Sequence, residues 1–434
     1  MAEPAQPRGR LSLLDCIAIG INGIVGSGIF LLPGKMAAAA GPSSVLAFVA
    51  CGLVFLLVAL CFAEAASRFD RSGGAFLYAR TALGDGVGFV IGWMSLCEGV
   101  IGYAAVSRGL ASQVGALVPA LAGPWGQASF AGGFILLLGA VNIAGLKKGA
   151  HTSDVLSIVK LVPLGLLLIV GLWHLQPAKL HPFWPATGHH GFSAAVFLAV
   201  FACSGWEYTA VPAGEAKDPR RDVPRAMIGA LAGAVALYAL VQFALVGSAN
   251  ISGSEQPLAD AASQLIGPIG AKAIAVAGTV SMAGFCASSA LVGPRLIVAF
   301  AEDGLLPGAV GRMHTKLGTP VWAIALGAGS SALVAFALPF EDLVDVGNVA
   351  LFAQYLPTCL AVMVLRRKRP DLPTGFRVPM GDLVAVLAIV ASIALLWVGS
   401  PGRDEWRRSA ELLVAGLVYY AGRRWWLARK PAAA

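Results

Sequence analysis

The chain has 434 residues, of which 57% are hydrophobic and only 12% charged, and its mean hydropathy is +0.77. A soluble domain carries about 25% charged residues, so this composition excludes a water-soluble enzyme or binding module and indicates an all-α polytopic membrane protein. The formal net charge of +8 would suit a nucleic-acid partner, but the placement of the basic residues, given below, assigns it to membrane topology.

The first apolar run, 13–33, follows a short polar start, MAEPAQPRGR. It is too long for a signal-peptide core and lacks a small-residue cleavage site after it, so it reads as a retained span. It holds Gly20, Gly23, Gly26 and Gly28, with Gly34 just past its end. Glycine destabilises a helix interior by roughly 0.5–1 kcal/mol relative to alanine. Two readings account for the cluster: close helix packing through Gly-x-x-Gly spacings, or a break at Gly26-Ser27-Gly28 at membrane depth. Backbone groups freed by a break are tolerated only where they line a cavity or meet a ligand. The half-helix after the break would aim N–H groups and a positive dipole end at an anion such as a carboxylate.

Runs of about 20 apolar residues give twelve spans in all: 13–33, 43–67, 87–110, 126–146, 153–174, 192–213, 226–249, 271–301, 321–339, 342–365, 379–399 and 409–427. An even count puts both ends on one side. With a cytosolic start, most of the 31 Lys and Arg fall in inner segments, including the run Arg366-Arg367-Lys368-Arg369. The outer segments hold only Lys35, Arg108, Lys179, Lys272, Arg403, Arg407 and Arg408, and Lys160 and Arg295 lie within spans. This bias follows the positive-inside rule and places both termini, 1–12 and 428–434, in the cytosol. The seven cysteines lie in apolar segments with no C-x-x-C pair, as small packing residues do.

The sixth span repeats the signature of the first. It is interrupted at Cys203-Ser204-Gly205 and carries Glu207 at mid-depth. Two interrupted helices in corresponding positions point to an inverted-repeat transporter with its site near the midplane. Spans 1–5 (13–174) and 6–10 (192–365) would form the repeats, with 379–427 appended. The pairing favours the functional reading of the first break.

Five motifs in order then resemble the amino acid–polyamine–organocation (APC) superfamily of permeases, over the length of the chain. They are Gly26-Ser27-Gly28-Ile29-Phe30; Glu64 with Arg68-Phe69-Asp70-Arg71-Ser72-Gly73-Gly74-Ala75-Phe76; the loop Ala213-Gly214-Glu215-Ala216-Lys217-Asp218-Pro219 through Ala226; Arg295 with Ala301-Glu302-Asp303-Gly304-Leu305-Leu306-Pro307; and the basic, proline-containing loop from Leu365 to Pro379. The resemblance implies a five-plus-five inverted-repeat (LeuT-like) fold and amino acid transport by alternating access. It leaves the substrate open.

An amino acid presents a carboxylate and an ammonium. Backbone N–H groups of Ser27, Gly28 and Ile29, with the Ser27 hydroxyl, can satisfy the carboxylate. The resemblance places carbonyl acceptors for the ammonium near Val25 and near Phe201, Ala202 and Ser204, beside Gly205, and makes Phe201 the aromatic that closes over substrate. Candidates for the side-chain pocket are Ile24, Met94, Cys97, Phe201, Ser204, Met282 and Phe285, an apolar set that favours a neutral amino acid, although each Met and Phe could equally be packing. A guanidinium or diamine would need an acidic or cation–π partner, and Glu98 or Glu207 could serve.

Lys160 lies inside the fifth span, where a lysine marks a functional site unless it snorkels to the surface. The resemblance implies that it stands where sodium-coupled relatives hold a cation, bridging helix 1 to helix 8, with Ser288 and Ser289 as neighbours and no sodium requirement. Glu98, deep in the third span, needs a partner: Lys160 first, Arg108 second. Glu207 resembles the family's Gly-x-Glu position, linking the broken helix to its surroundings or carrying a proton, with structural bracing as the alternative. Glu64 and Arg295 read as an inner-face ionic network. His181, His189 and His190 read as a solvated outer loop rather than a metal site, and Trp425-Trp426 among Arg423, Arg424 and Arg429 as an interfacial anchor.

The expected function is secondary transport of an amino acid, proton-coupled or by exchange, without cofactor, metal or an evident partner subunit, in a plasma membrane of bacterial inner-membrane type. A cationic amino acid or polyamine antiporter is the related alternative. A non-transporting sensor is the alternative of another class, and the short tails argue against it. No Gly-x-Ser-x-Gly, His-Glu-x-x-His or P-loop appears.

Overall fold

Ser12 sets the start of the first helix. Its hydroxyl accepts from the Asp15 amide at 3.3 Å, and its own amide donates to the Asp15 carboxylate at 2.7 Å, a reciprocal capping box. In the computed structural model, which describes residues 11–70, 73–145, 149–184, 188–211, 213–399 and 402–429, helix α1 (Leu13–Ile24) ends after three turns. The chain breaks over Val25, Gly26 and Ser27 and resumes as α2 (Gly28–Ala40). Then follow α3 (Ser44–Ala66), the short α4 (Gly74–Leu83), α5 (Asp85–Leu117), α6 (Pro124–Ile143), α7 (Gly149–Trp173) and α8 (Gly188–Cys203). A single 3-10 turn, Trp206–Ala210, follows the second break. The rest is α9 (Pro219–Ser248), α10 (Pro257–Ile266), α11 (Pro268–Glu302), α12 (Gly308–Gly311), α13 (Val321–Ala337), α14 (Phe340–Lys368), α15 (Asp382–Gly399) and α16 (Arg403–Arg429).

Among the described residues the chain is all-helical, with no named strand. Its one β-bridge joins Leu11 to Ala216. The Leu11 amide donates to the Glu215 carbonyl at 3.0 Å and the Lys217 amide to the Leu11 carbonyl at 2.8 Å. Among the described residues, eight helical stretches are long and apolar enough to cross a membrane. The other expected spans are shorter, as in α1 and α13, or carry charge along their length, as in α16. Helices α4, α10 and α12 occupy segments that hydropathy reads as loops. Of the expected features, most of the tails 1–12 and 428–434, Arg71, Ser72, Pro212 and the His189 side chain lie outside the described residues.

The two breaks cross at the centre of the fold. Helix α1 packs on the turn after the second break, and α2 packs on α8, with α7, α9 and α11 around α1. Glycine permits this crossing. A Cβ on Gly23 would collide with the Gly205 carbonyl, and one on Gly28 would sit 2.6 Å from the Ala202 Cα. Both readings of the first-span glycines therefore hold: the helix breaks, and its glycines admit the other broken helix.

At one end of the bundle, fully buried Glu64 on α3 takes four hydrogen bonds. Arg68 donates at 2.9 Å, Arg366 donates to both carboxylate oxygens, and the Val378 amide donates at 2.8 Å. Arg366 extends the network to Asp382 at 2.9 Å. Arg295, expected in the same network, instead pairs with Glu215 at 2.9 Å. The α11 register sets it against the loop after the second break. Removing one partner of a buried ion pair costs about 3–5 kcal/mol. Glu64→Gln is therefore expected to lower the melting temperature of detergent-purified protein clearly, and Arg295→Ala, at a 40% exposed side chain, to lower it little. Equal melting of Glu64→Gln and the unmodified protein would show that the network carries no stability.

Candidate functional site

The first break is held from three sides. Lys160, on α7 and with no exposure, donates to the Val25 carbonyl at 3.0 Å, and Ser281 on α11 donates to the same oxygen at 3.0 Å. Tyr238 on α9 donates to the Ile24 carbonyl at 3.1 Å, and the Gly26 amide donates to it at 2.9 Å. A carbonyl oxygen has two lone pairs, so both acceptors are filled. The expectation that Val25 offers its carbonyl to an ammonium is corrected: that carbonyl is occupied by protein donors.

Lys160 thus links α7 to the first break, and α11 reaches the same oxygen, but through Ser281. Ser288 and Ser289, expected beside Lys160, lie about two helical turns further along α11 and line a separate, larger cavity. Hydropathy fixes that α11 spans the fold; the depth at which it crosses α1 is a tertiary matter.

The second break turns on Gly205, whose φ of +104° lies in the left-handed region. Glu207 braces it, accepting from the Gly205 amide at 3.0 Å and from the Tyr355 hydroxyl of α14 at 3.0 Å. Glu98 on α5 accepts from the Tyr208 hydroxyl at 3.2 Å. Its partner is neither Lys160, which is committed to Val25, nor Arg108, which donates to the Pro124 carbonyl at 3.3 Å. The Ser204 hydroxyl turns back to the Phe201 carbonyl at 2.9 Å.

A small cavity lies where the breaks meet. Of the expected substrate residues, Ile24, Gly26, Ser27, Gly28, Phe201, Ser204, Gly205 and Phe285 line it, together with Glu98. Val25, Ile29 and Ala202 are buried in the backbone segments behind its wall. Cys97 lines neither cavity, and Met94 and Met282 are buried in packing; on a helix as long as α5 the 3.6-residue period turns Glu98 and Gly102 inward instead. Gly102, Val106 and Tyr208 also line the cavity. Tyr208 could have been singled out as the neighbour of Glu207; Gly102 and Val106 carry no chemical signal in sequence.

Donors for an anion face this cavity. The Ser27 hydroxyl is fully buried and has no hydrogen-bond partner. Helical bonding in α2 starts at Phe30 and Leu31, whose amides both donate to the Ser27 carbonyl, so the preceding amides of Gly28 and Ile29 are the free N-terminal donors of the half-helix. The opposite wall is apolar: Phe285 lies 3.3 Å from the position of a Cβ on Gly26, and Phe201 meets Phe340 edge-on at 5.9 Å. Glu98 is the one charged residue among those lining the cavity.

A buried crossing of two broken helices, with helix-end donors over a small cavity inside a membrane-spanning bundle, defines a solute permease. The chain belongs to the amino acid permease family of the APC superfamily: the family's model matches residues 11–420. It is 30% identical over 439 residues to the methylthioribose transporter of Bacillus subtilis, covering 94% of this chain and 92% of the relative. It is 29% identical to the branched-chain amino acid permease BcaP of B. subtilis (95% and 92%) and 30% identical to the serine/threonine exchanger SteT of B. subtilis (89% and 90%). Members of this family are transporters, which move solutes rather than convert them.

Proposed function

We propose that the chain is a sodium-independent secondary transporter of neutral amino acids that works by alternating access, driven by protons or by exchange. It crosses the membrane twelve times as two inverted repeats, 13–174 and 192–365, with 379–427 appended, and both termini face the cytosol of a bacterial inner membrane. The observation that carries this reading is the pairing of unsatisfied donors, Ser27 Oγ and the first α2 amides, with an otherwise largely apolar cavity. The carboxylate sits on those donors. With the Val25 and Ile24 carbonyls occupied, the ammonium turns to the carbonyls of Phe201 and Ala202 at the second break, with Glu98 nearby. Lys160 donates to the Val25 carbonyl at the first break, where a bound cation would otherwise be needed, and this supports sodium independence. The names of the three relatives given above fit uncharged substrates of modest size.

The cationic reading rests on Glu98 and on further relatives, 26–29% identical, that are named cationic amino acid transporters; against it, the Tyr208 hydrogen bond already engages that carboxylate. The test is uptake of labelled amino acids by proteoliposomes in sodium-free buffer. Neutral amino acids are expected to enter, with no gain on adding sodium. Entry of arginine or lysine in preference to neutral amino acids, or uptake that needs sodium, would overturn the assignment.

A further inference from the structure

A second cavity adjoins the small one. It spans about 780 Å³ including its open mouth, against about 330 Å³ for the small cavity on the same measure. Its walls come from α5, α6, α11 and α13, and glycines at Gly99, Gly139, Gly293 and Gly327 leave the room in it. Among its described lining residues none is charged. The Tyr103 hydroxyl is buried there without a hydrogen-bond partner. Gly23, Tyr208 and Phe285 line both cavities, so these three residues form the partition between them.

We propose that this larger cavity receives the substrate's side chain, and that the substrates are amino acids with large apolar side chains, of the size of leucine, methionine or phenylalanine. The inference rests on the transport reading above. With the α-carboxylate and ammonium held at the two breaks, the small cavity leaves little space beyond the α-carbon. A longer side chain passes between Phe285 and Tyr208, and Tyr208 is held aside by its hydrogen bond to Glu98. The glycine-lined wall beyond then buries it, and burial of apolar surface is favourable in proportion to its area. A charged side chain would lose its hydration there with no counter-charge to meet it. The neutral hydroxyls of Tyr103, Ser288 and Ser289 on its wall can bond a thioether or hydroxyl, and an aliphatic chain can do without them.

The experiment measures KM and kcat for glycine, alanine, leucine, methionine, phenylalanine and lysine in proteoliposomes, for the unmodified protein and for Gly327→Val and Ala328→Leu. Both substitutions put bulk into the larger cavity, and a Cβ at Gly327 meets nothing nearer than 3.4 Å. In the unmodified protein KM is expected to fall at least about tenfold from alanine to leucine or phenylalanine, since one methylene in an apolar pocket is worth about tenfold or more. The filling variants are expected to raise KM for leucine and phenylalanine about tenfold and leave alanine unchanged. A flat series in the unmodified protein overturns the proposal whether or not the variants fold. Variants that lower kcat for all substrates alike overturn it in favour of a release path. Absence of uptake of any amino acid by the unmodified protein overturns the transport reading, and the side-chain pouch with it.

Discussion

Lys160→Ala is expected to cut amino acid uptake in proteoliposomes by one to two orders of magnitude. The lysine is fully buried, and its ammonium donates to the Val25 carbonyl in the middle of the first break. A hydrogen bond to a charged group contributes about 1.5–3 kcal/mol, or roughly ten- to a hundredfold in an equilibrium. Its loss leaves Ser281 as the sole remaining donor to that oxygen. Ser281→Ala removes a neutral bond, worth about 0.5–1.5 kcal/mol, and should reduce uptake only severalfold. The two variants separate bracing from proton carriage. If gradient-driven uptake disappears while counterflow survives, Lys160 carries the proton. If both fail together, it holds the break in shape. Unchanged uptake by Lys160→Ala would remove the lysine from the mechanism altogether.

Gly205→Ala is expected to abolish transport and to lower the melting temperature sharply. Two costs add. The residue holds φ at +104°, a region in which an L side chain is strained by about 1–3 kcal/mol. Its new Cβ would also run into the Gly23 carbonyl. This is a side chain against backbone, on a helix that itself packs on this turn, so no rotamer change relieves it, and overpacking of this kind costs about 1–3 kcal/mol. Gly229→Ala is the control: it sits in α9 with nothing within 4 Å of an added Cβ, and both readouts should be unchanged. A Gly205→Ala protein that melts and transports normally would mean that the breaks do not cross as described.

Much of this was legible in the sequence, because hydropathy and glycine placement are local signals. The apolar runs located the helices, and Gly26-Ser27-Gly28 and Cys203-Ser204-Gly205 located both breaks. What stayed hidden depends on how helices meet. Lys160 is legible as a lone charge in an apolar run, and the resemblance sets it against helix 1, but nothing local says that its acceptor is the Val25 carbonyl. The sequence suggests Ser288 and Ser289 as neighbours of Lys160, whereas Ser281 is the one that meets the same oxygen, because depth along α11 relative to α1 is set by packing. Glu98 announced itself as a buried acid, whereas its partner Tyr208 lies 110 residues away on a turn whose direction follows from the φ of Gly205. The glycines of the larger cavity are spread over α5, α6, α11 and α13, and no single stretch of sequence shows that they face one space.

The pair of backbone hydrogen bonds at Leu11 has a mechanical meaning. They fasten the residue just ahead of α1 to Glu215 and Lys217, which follow the second break, so the stem of one broken helix and the tail of the other are yoked. Neither can swing without dragging its fellow or snapping both bonds. Arg295 grips Glu215 and pins the yoke to α11. A tilt of α1 away from α11 would have to break either the Leu11 pair or the Arg295–Glu215 ion pair.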